Sequence, residues 1–177
     1  MIVLLNGAFG IGKTTVARLV AQMLPGTRVF NPELLGVAIQ RSARLVGRSV
    51  EDFQDMPLWR RLTVLGIQAA AKLGENVIVP MAFSNLAYLT EVRRCLSHFD
   101  PNVVHICLVA PVEIVHDRLR LRGEIAGDPR SAWQYRRSAE CCLAHRDSSF
   151  AEHLPSGHLT AHEVAALVAS RVNALRR

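Results

Sequence analysis

Gly7-Ala8-Phe9-Gly10-Ile11-Gly12-Lys13-Thr14 has the spacing GxxxxGK[ST]. In this pattern small residues let successive backbone N–H groups turn inward around phosphate oxygens, and the helix that follows presents its positive N-terminal dipole to them. An apolar run precedes Gly7 and an amphipathic helical pattern follows Lys13, so the motif sits in the strand-to-helix connection that the chemistry requires. The expected ligand is ATP, held by Gly7, Phe9, Gly10, Ile11, Gly12, Lys13, Thr14 and Thr15. Lys13 would bridge the β- and γ-phosphates, and Thr14 would give its hydroxyl to Mg2+.

What accompanies the loop narrows the chemistry. A guanine-reading [NT]KxD motif is excluded, because the only other lysine is Lys72, followed by Leu73-Gly74. The third predicted strand, with Val77-Ile78-Val79-Pro80-Met81, lacks the terminal acid with which many ATPases hold magnesium. Phosphoryl transfer of the small-kinase type remains, in which arginines neutralise the moving group. Arg118 and Arg122 lie four apart on one helix face and are expected to reach one phosphate chain, while Arg120 points elsewhere. Arg130, Arg136 and Arg137 are further cations whose spacing selects none of them. A carboxylate that orients an acceptor hydroxyl and takes its proton is also needed. Glu33, just beyond the second strand, is the choice, with Asp52 and Asp55 as alternatives. Phe53 and Trp59 offer rings to stack on a planar substrate, although each type is more often a core residue.

The elements that must position these groups are short aliphatic runs alternating with helical patterns, the signature of βαβ units and a parallel sheet. Five strands are predicted: Ile2–Leu5, Thr27–Phe30, Asn76–Met81, Val103–Val109 and Phe150–Leu154. Val16, Leu19, Val20, Met23 and Leu24 recur at helical spacing between the first two, ending at Pro25-Gly26. Residues 32–73 exceed a simple crossover and contain helical pieces separated by Gly47 and Pro57, which predicts a substrate cap. Asn85–His98 and Pro111–Arg122 read as crossover helices, and residues 122–145 as a lid, with a new helix from about Ser131. Thr160-Ala161-His162-Glu163 has the form of a capping box before a final helix.

The 177 residues, half of them hydrophobic, fit one globular domain, 1–177. A net charge of +6 with scattered arginines and no recognition module argues against nucleic acid. No apolar run reaches the roughly 20 residues that span a bilayer. The first strand begins at Ile2, leaving no export signal, and Cys95, Cys107, Cys141 and Cys142 show no CxxC pairing, so a cytoplasmic protein is expected. Cys141 with His145 and His158 with His162 are four apart but lack a third metal ligand in sequence.

The chain resembles the ATP-binding tunicamycin-resistance proteins of bacteria, in the P-loop kinase-like superfamily. The resemblance rests on Asn6-Gly7-Ala8-Phe9-Gly10 leading into Gly12-Lys13-Thr14, Pro32-Glu33 with Gly36, Asp52-Phe53-Gln54 with Pro57-Leu58-Trp59-Arg60, and Val79-Pro80-Met81. Arg118-Leu119-Arg120, Arg122, Trp133, Phe150 and His153 extend it. It implies a three-layer α/β/α fold with parallel strands ordered 2-3-1-4-5. It also implies a nucleoside-like antibiotic as partner, contacted by Asn31, Glu33, Phe53, Trp59, Arg60 and Met81. The drug would be either phosphorylated or sequestered, and a metabolic nucleoside or sugar kinase is the third reading. The family pattern has aspartate where this chain has Asn31, which moves the base role to Glu33. Membrane association through an amphipathic C-terminal segment is also implied, but Val164, Leu167, Val168, Val172 and Leu175 are better suited to packing on the sheet.

Overall fold

Strand β1 (Ile2–Gly7) is buried at every position, which suits its apolar sequence to the centre of a sheet covered on both faces. In the computed structural model, described over residues 1–45, 52–74 and 76–175, β1 pairs in parallel with β3 (Asn76–Pro80) on one side and β4 (Val104–Val109) on the other. β2 (Thr27–Val29) and β5 (Glu152–Pro155) complete the order β2-β3-β1-β4-β5, the order the resemblance implies. Leu5 is level with Pro80 and Gly7 with Leu108, so the carboxyl ends of the three central strands open on one edge.

The strand side chains alternate between two cores. Val3, Leu5, Ile78, Ile106 and Leu108 pack beneath α1 (Lys13–Met23) and α7 (Ala161–Ala174). Ile2, Leu4, Val77 and Val79 face α3 (Pro57–Lys72) and α4 (Leu86–Phe99). Of the C-terminal stripe, Val164, Val168 and Val172 are thus spent on the sheet, whereas Leu167 and Leu175 are exposed on the outer side of α7 or just past it. No helix among the described residues is long and apolar enough to cross a membrane.

The helix ends follow local chemistry. Asn85 caps α4 by accepting from Ala87 N at 2.9 Å, and the Thr160–Glu163 box closes on α7 with both arms made. Pro111 and Arg122 flank α5 (Val112–Leu121). Strand β5 starts later than predicted, because Phe150 belongs to a 3-10 turn, Ser148–Phe150, capped by Asp147. Within 32–73, α2 (Pro32–Leu45), a 3-10 turn (Phe53–Asp55) and α3 are formed, while Gly47 lies outside the described residues. Pro57 opens α3, where its missing N–H costs nothing. α3 carries Trp59 and Ile67 into the core and so covers the sheet, leaving α2 and the 3-10 turn beside the open edge. α6 (Pro129–Ala144) begins two residues before the predicted Ser131 and packs on α5.

His145 is buried and His105 half-buried, and ring nitrogens shut from water find no partner, at both positions of His105 and at Nδ1 of His145. Burial, reinforced by Arg93 and His145, pushes His105 down to about 3. Burial likewise lowers His145 to about 4, against a hydrogen bond to Phe83, with Lys13, His153 and Arg137 adding to the fall. Both folded-state values lie below the ordinary 6.5, so below pH 6.5 the unfolded chain binds protons that the native chain refuses. Stability complete above that pH is therefore expected to decline towards pH 4 by about 1.4 kcal/mol per pH unit for each histidine. Urea midpoints at pH 7.5 and pH 5 measure this, and His145→Gln should shrink the difference. Equal midpoints for the parent protein would contradict it.

Candidate active site

The turn from β1 into α1 is made by glycines in backbone regions that other residues rarely enter. Gly10 has φ 88° and Gly12, the N-cap of α1, has φ 108°. A Cβ on Gly10 would sit 2.7 Å from the Leu119 side chain, whereas one on Gly12 would meet nothing within 4 Å. Lys13 folds back into this turn, donating from Nζ to Ala8 O at 2.9 Å. Burial lowers the Lys13 pKa, opposed chiefly by Glu33, with Arg122 adding to the fall. An ammonium shut away from water gains most from a multiply charged anion, so the donor set fits a polyphosphate. Thr14 is half-buried and Thr15 exposed at the start of α1.

Two cavities flank the turn. The first, about 310 Å³, is lined by Ile11, Thr15, Leu108, Arg118, Arg122 and Ser156 among others. Arg118 does not act there as expected. Its guanidinium donates to Ile11 O at 2.8 Å, Ser156 O at 2.7 Å and Gly157 O at 3.2 Å, and burial together with Arg122 lowers its pKa. Arg118 is thus a brace between the phosphate turn and the loop after β5, while Arg122 lines the same cavity. Arg122 lies just past the end of α5, so the pair share a cavity and not a helix face, and backbone carbonyls 38 and 107 residues away in sequence claim Arg118.

The second cavity, about 450 Å³, has Phe9, Glu33, Asp52, Phe53, Trp133 and Arg137 in its walls. Phe9 from the phosphate turn meets Trp133 of α6 edge-on, with centroids 5.5 Å apart. Glu33 stands in the first turn of α2, where its backbone N–H donates to Asn31 Oδ1 at 3.0 Å. Asn31 is therefore a cap for α2. Phe53 reaches the cavity because Gly36 leaves room, as a Cβ there would lie 2.5 Å from its ring.

Three expected substrate contacts are structural instead. Trp59 is 1% exposed, held between Phe53 and Phe83 at 4.9 and 5.8 Å, with Nε1 donating to Pro32 O at 3.0 Å. Met81 is buried below the strand ends, its N–H donating to Leu5 O at 3.0 Å. Arg60 pairs with Glu91 at 2.7 Å, donates to Gln54 O at 2.7 Å and lies 4.2 Å from the Tyr88 ring centre, which anchors the 3-10 turn from behind. Their types suited binding, but long-range packing used them first.

Sequence spacing did not single out the ion pair between Arg137 and Asp52, 2.9 Å, which joins α6 to the 3-10 turn across the second cavity. Arg137 also donates to Ser84 Oγ at 2.7 Å. The one available signal was that Trp133 and Arg137 are i, i+4 and share a face of α6. The Arg130 side chain lies outside the described residues. Cys141 and His145, considered as metal ligands, instead direct Sγ to Ala82 O at 3.8 Å and Nε2 to Phe83 O at 2.7 Å.

A family model described as chloramphenicol phosphotransferase-like protein matches residues 1–173. Among solved structures the chain is similar to the tunicamycin resistance protein of Deinococcus radiodurans, with 29% identity and a TM-score of 0.76 over 97% of this chain and 94% of that one. This agrees with the resemblance carried by the phosphate turn and the Asp52-to-Arg60 segment. It shares its fold with a gluconokinase from Sinorhizobium meliloti 1021, at 14% identity, TM-score 0.63 and 99% and 97% coverage of the two chains. A shikimate kinase from Acinetobacter baumannii in complex with shikimate gives 16%, 0.59, 98% and 93% in the same order. No curated protein sequence matches.

The geometry of the turn ranks its glycines. Gly12→Ala is expected to cost about 1–2 kcal/mol from backbone strain alone. Gly10→Ala adds the collision with Leu119 and should cost more. Denaturant unfolding of the two variants reads the order, and Gly12→Ala as the worse of the two would refute it.

Proposed function

The chain belongs to the chloramphenicol phosphotransferase-like family, and on that footing we propose that it transfers the γ-phosphoryl group of ATP to a hydroxyl of a nucleoside-like antibiotic of the tunicamycin type. The observation that carries this reading is that the cavity holding Glu33 shares Phe9 with the phosphate turn, so acceptor and phosphate sites adjoin.

Lys13 and Arg122 would hold the phosphates of ATP at the turn, and the cavity lined by Arg118 and Ser156 would receive its base. Thr14 offers its hydroxyl to Mg2+, which neutralises phosphate charge when bound. The acceptor enters between α2, acting with the 3-10 turn as a cap, and α6, acting within residues 122–145 as a lid. Phe9, Phe53 and Trp133 present aromatic surface to it. The acceptor oxygen attacks the γ-phosphorus, the bond to the β-phosphate oxygen breaks, ADP leaves, and the hydroxyl proton passes to Glu33. Asn31 supports this assignment of the base, since an amide capping α2 has no proton-accepting carboxylate to offer.

Mass spectrometry of tunicamycin incubated with the protein and Mg-ATP should show the gain of one phosphoryl group. Unmodified drug at saturating protein, with ATP-sensitive binding intact, would replace the kinase reading by sequestration. Lys13→Ala should abolish ATP binding while leaving the circular dichroism spectrum unchanged. Glu33→Gln should keep ATP affinity and lower kcat by about 10²–10⁴-fold, and full turnover in that variant would remove Glu33 as the base.

A further inference from the structure

The second cavity contains its own counter-ion. Arg137 is the one cation among its described lining residues, and Glu33 and Asp52 supply two carboxylates. Arg137 and Asp52 are 14% and 19% exposed, and their contact is 2.9 Å, so the pair is largely withdrawn from water. The other donors of the two Nη atoms are occupied too, by Ser84 Oγ at 2.7 Å, Glu140 Oε2 at 3.2 Å and Gln54 Oε1 at 3.4 Å.

An arginine facing a small-molecule site ordinarily recognises a carboxylate or phosphate through its fork of N–H donors. Here both Nη atoms of the fork are already taken by the protein. A ligand carboxylate would have to displace Asp52, which is held at high effective concentration, and the displaced Asp52 would then stand uncompensated near Glu33. A neutral ligand meets no such cost and keeps the aromatic walls of Phe9, Phe53 and Trp133. Asp52 is also fixed in place, since its Oδ1 accepts from Gln54 N at 2.9 Å as the cap of the 3-10 turn while Oδ2 faces Arg137.

We propose that the Asp52–Arg137 pair is the specificity determinant of the acceptor cavity, excluding carboxylate-bearing acceptors and admitting uncharged aromatic or heterocyclic hydroxyl compounds. The inference rests on this cavity being the acceptor site, as proposed above. Asp52→Asn is the informative change because the amide oxygen still caps Gln54 N while the negative charge is lost. Arg137 then faces the cavity with its most buried carboxylate partner removed, and the half-exposed Glu140 is a weak substitute.

The test is titration of the whole protein, loaded with a non-hydrolysable ATP analogue and Mg2+, with benzoate and its neutral isostere benzamide, followed by ligand-observed NMR and calorimetry. The parent protein is expected to bind benzamide at least as well as benzoate. Asp52→Asn should tighten benzoate by about tenfold or more relative to the parent, and Asp52→Asn with Arg137→Gln should abolish that gain. Equal benzoate affinity in the parent and Asp52→Asn, including none measurable in either, overturns the proposal. So does a gain that survives removal of Arg137. If the shift in preference is present but no acceptor is phosphorylated by any form, the charge pair stands and the kinase reading falls.

Discussion

Asn6, the penultimate residue of β1, holds the two sides of the cleft in register through one buried amide. Its Oδ1 accepts from Phe83 N at 3.0 Å and its Nδ2 donates to Phe83 O at 3.2 Å, a closed pair with the backbone just beyond β3. The same carbonyl accepts from His145 Nε2 at 2.7 Å, at the far end of α6. With Nε2 as the donor, the neutral ring leaves Nδ1 as a lone pair without a partner, which fits a pKa depressed to about 4. Burial makes each of these bonds costly to lose, since an amide or carbonyl left unpaired in the interior forfeits its hydration. The phosphate turn, the loop carrying Ala82 and Ser84, and the end of the helix carrying Trp133 and Arg137 therefore meet at this side chain and its carbonyl neighbour, and Arg137 to Ser84 and Phe9 to Trp133 add to the tie.

From that anchor the two cavities lie on opposite sides of the turn. On the β4–β5 side, Arg118 spends its donors on Ile11, Ser156 and Gly157, so the phosphate turn and the loop before α7 form one wall. On the β3 side, Arg60 fixes the 3-10 turn through Gln54 O and Arg137 ties that turn to α6 through Asp52. The phosphate turn lies between, bordering one cavity through Ile11 and the other through Phe9. A reaction that brings two ligands together at a phosphate requires this arrangement, one ligand from each side.

The parts readable from sequence are those governed by neighbours in the chain. The glycine turn, the Thr160–Glu163 box, Pro57 at a helix start and the alternation of five strands with helices all depend on residues within a few positions of one another. Glu33 was legible for the same reason, because the end of β2 and the start of α2 fix its place. Phe150 misled because an aromatic residue next to a short strand suits a 3-10 turn equally well, and Asp147 decided the matter by capping it. The site contacts that escaped the pattern are pairings across long separations, such as Arg137 with Gln54, 83 residues apart, and Trp59 with Pro32, 27 apart. Nothing in local periodicity specifies which buried carbonyl an indole will find.

The basic composition illustrates the difference. A charge of +6 suggests cations awaiting an anionic partner, yet arginines near the site are largely consumed by the protein itself. Arg60 and Arg137 answer carboxylates, and Arg118 answers three carbonyls. Guanidinium serves this purpose better than ammonium, because its planar fork can satisfy several fixed acceptors at once and resists losing its proton when buried. Lys13, by contrast, sits where a point charge on a flexible stem is wanted, inside a ring of backbone groups that a phosphate chain can enter. Arg60, Arg118 and Arg137 are scaffold, so the net charge measures in good part how the walls are built.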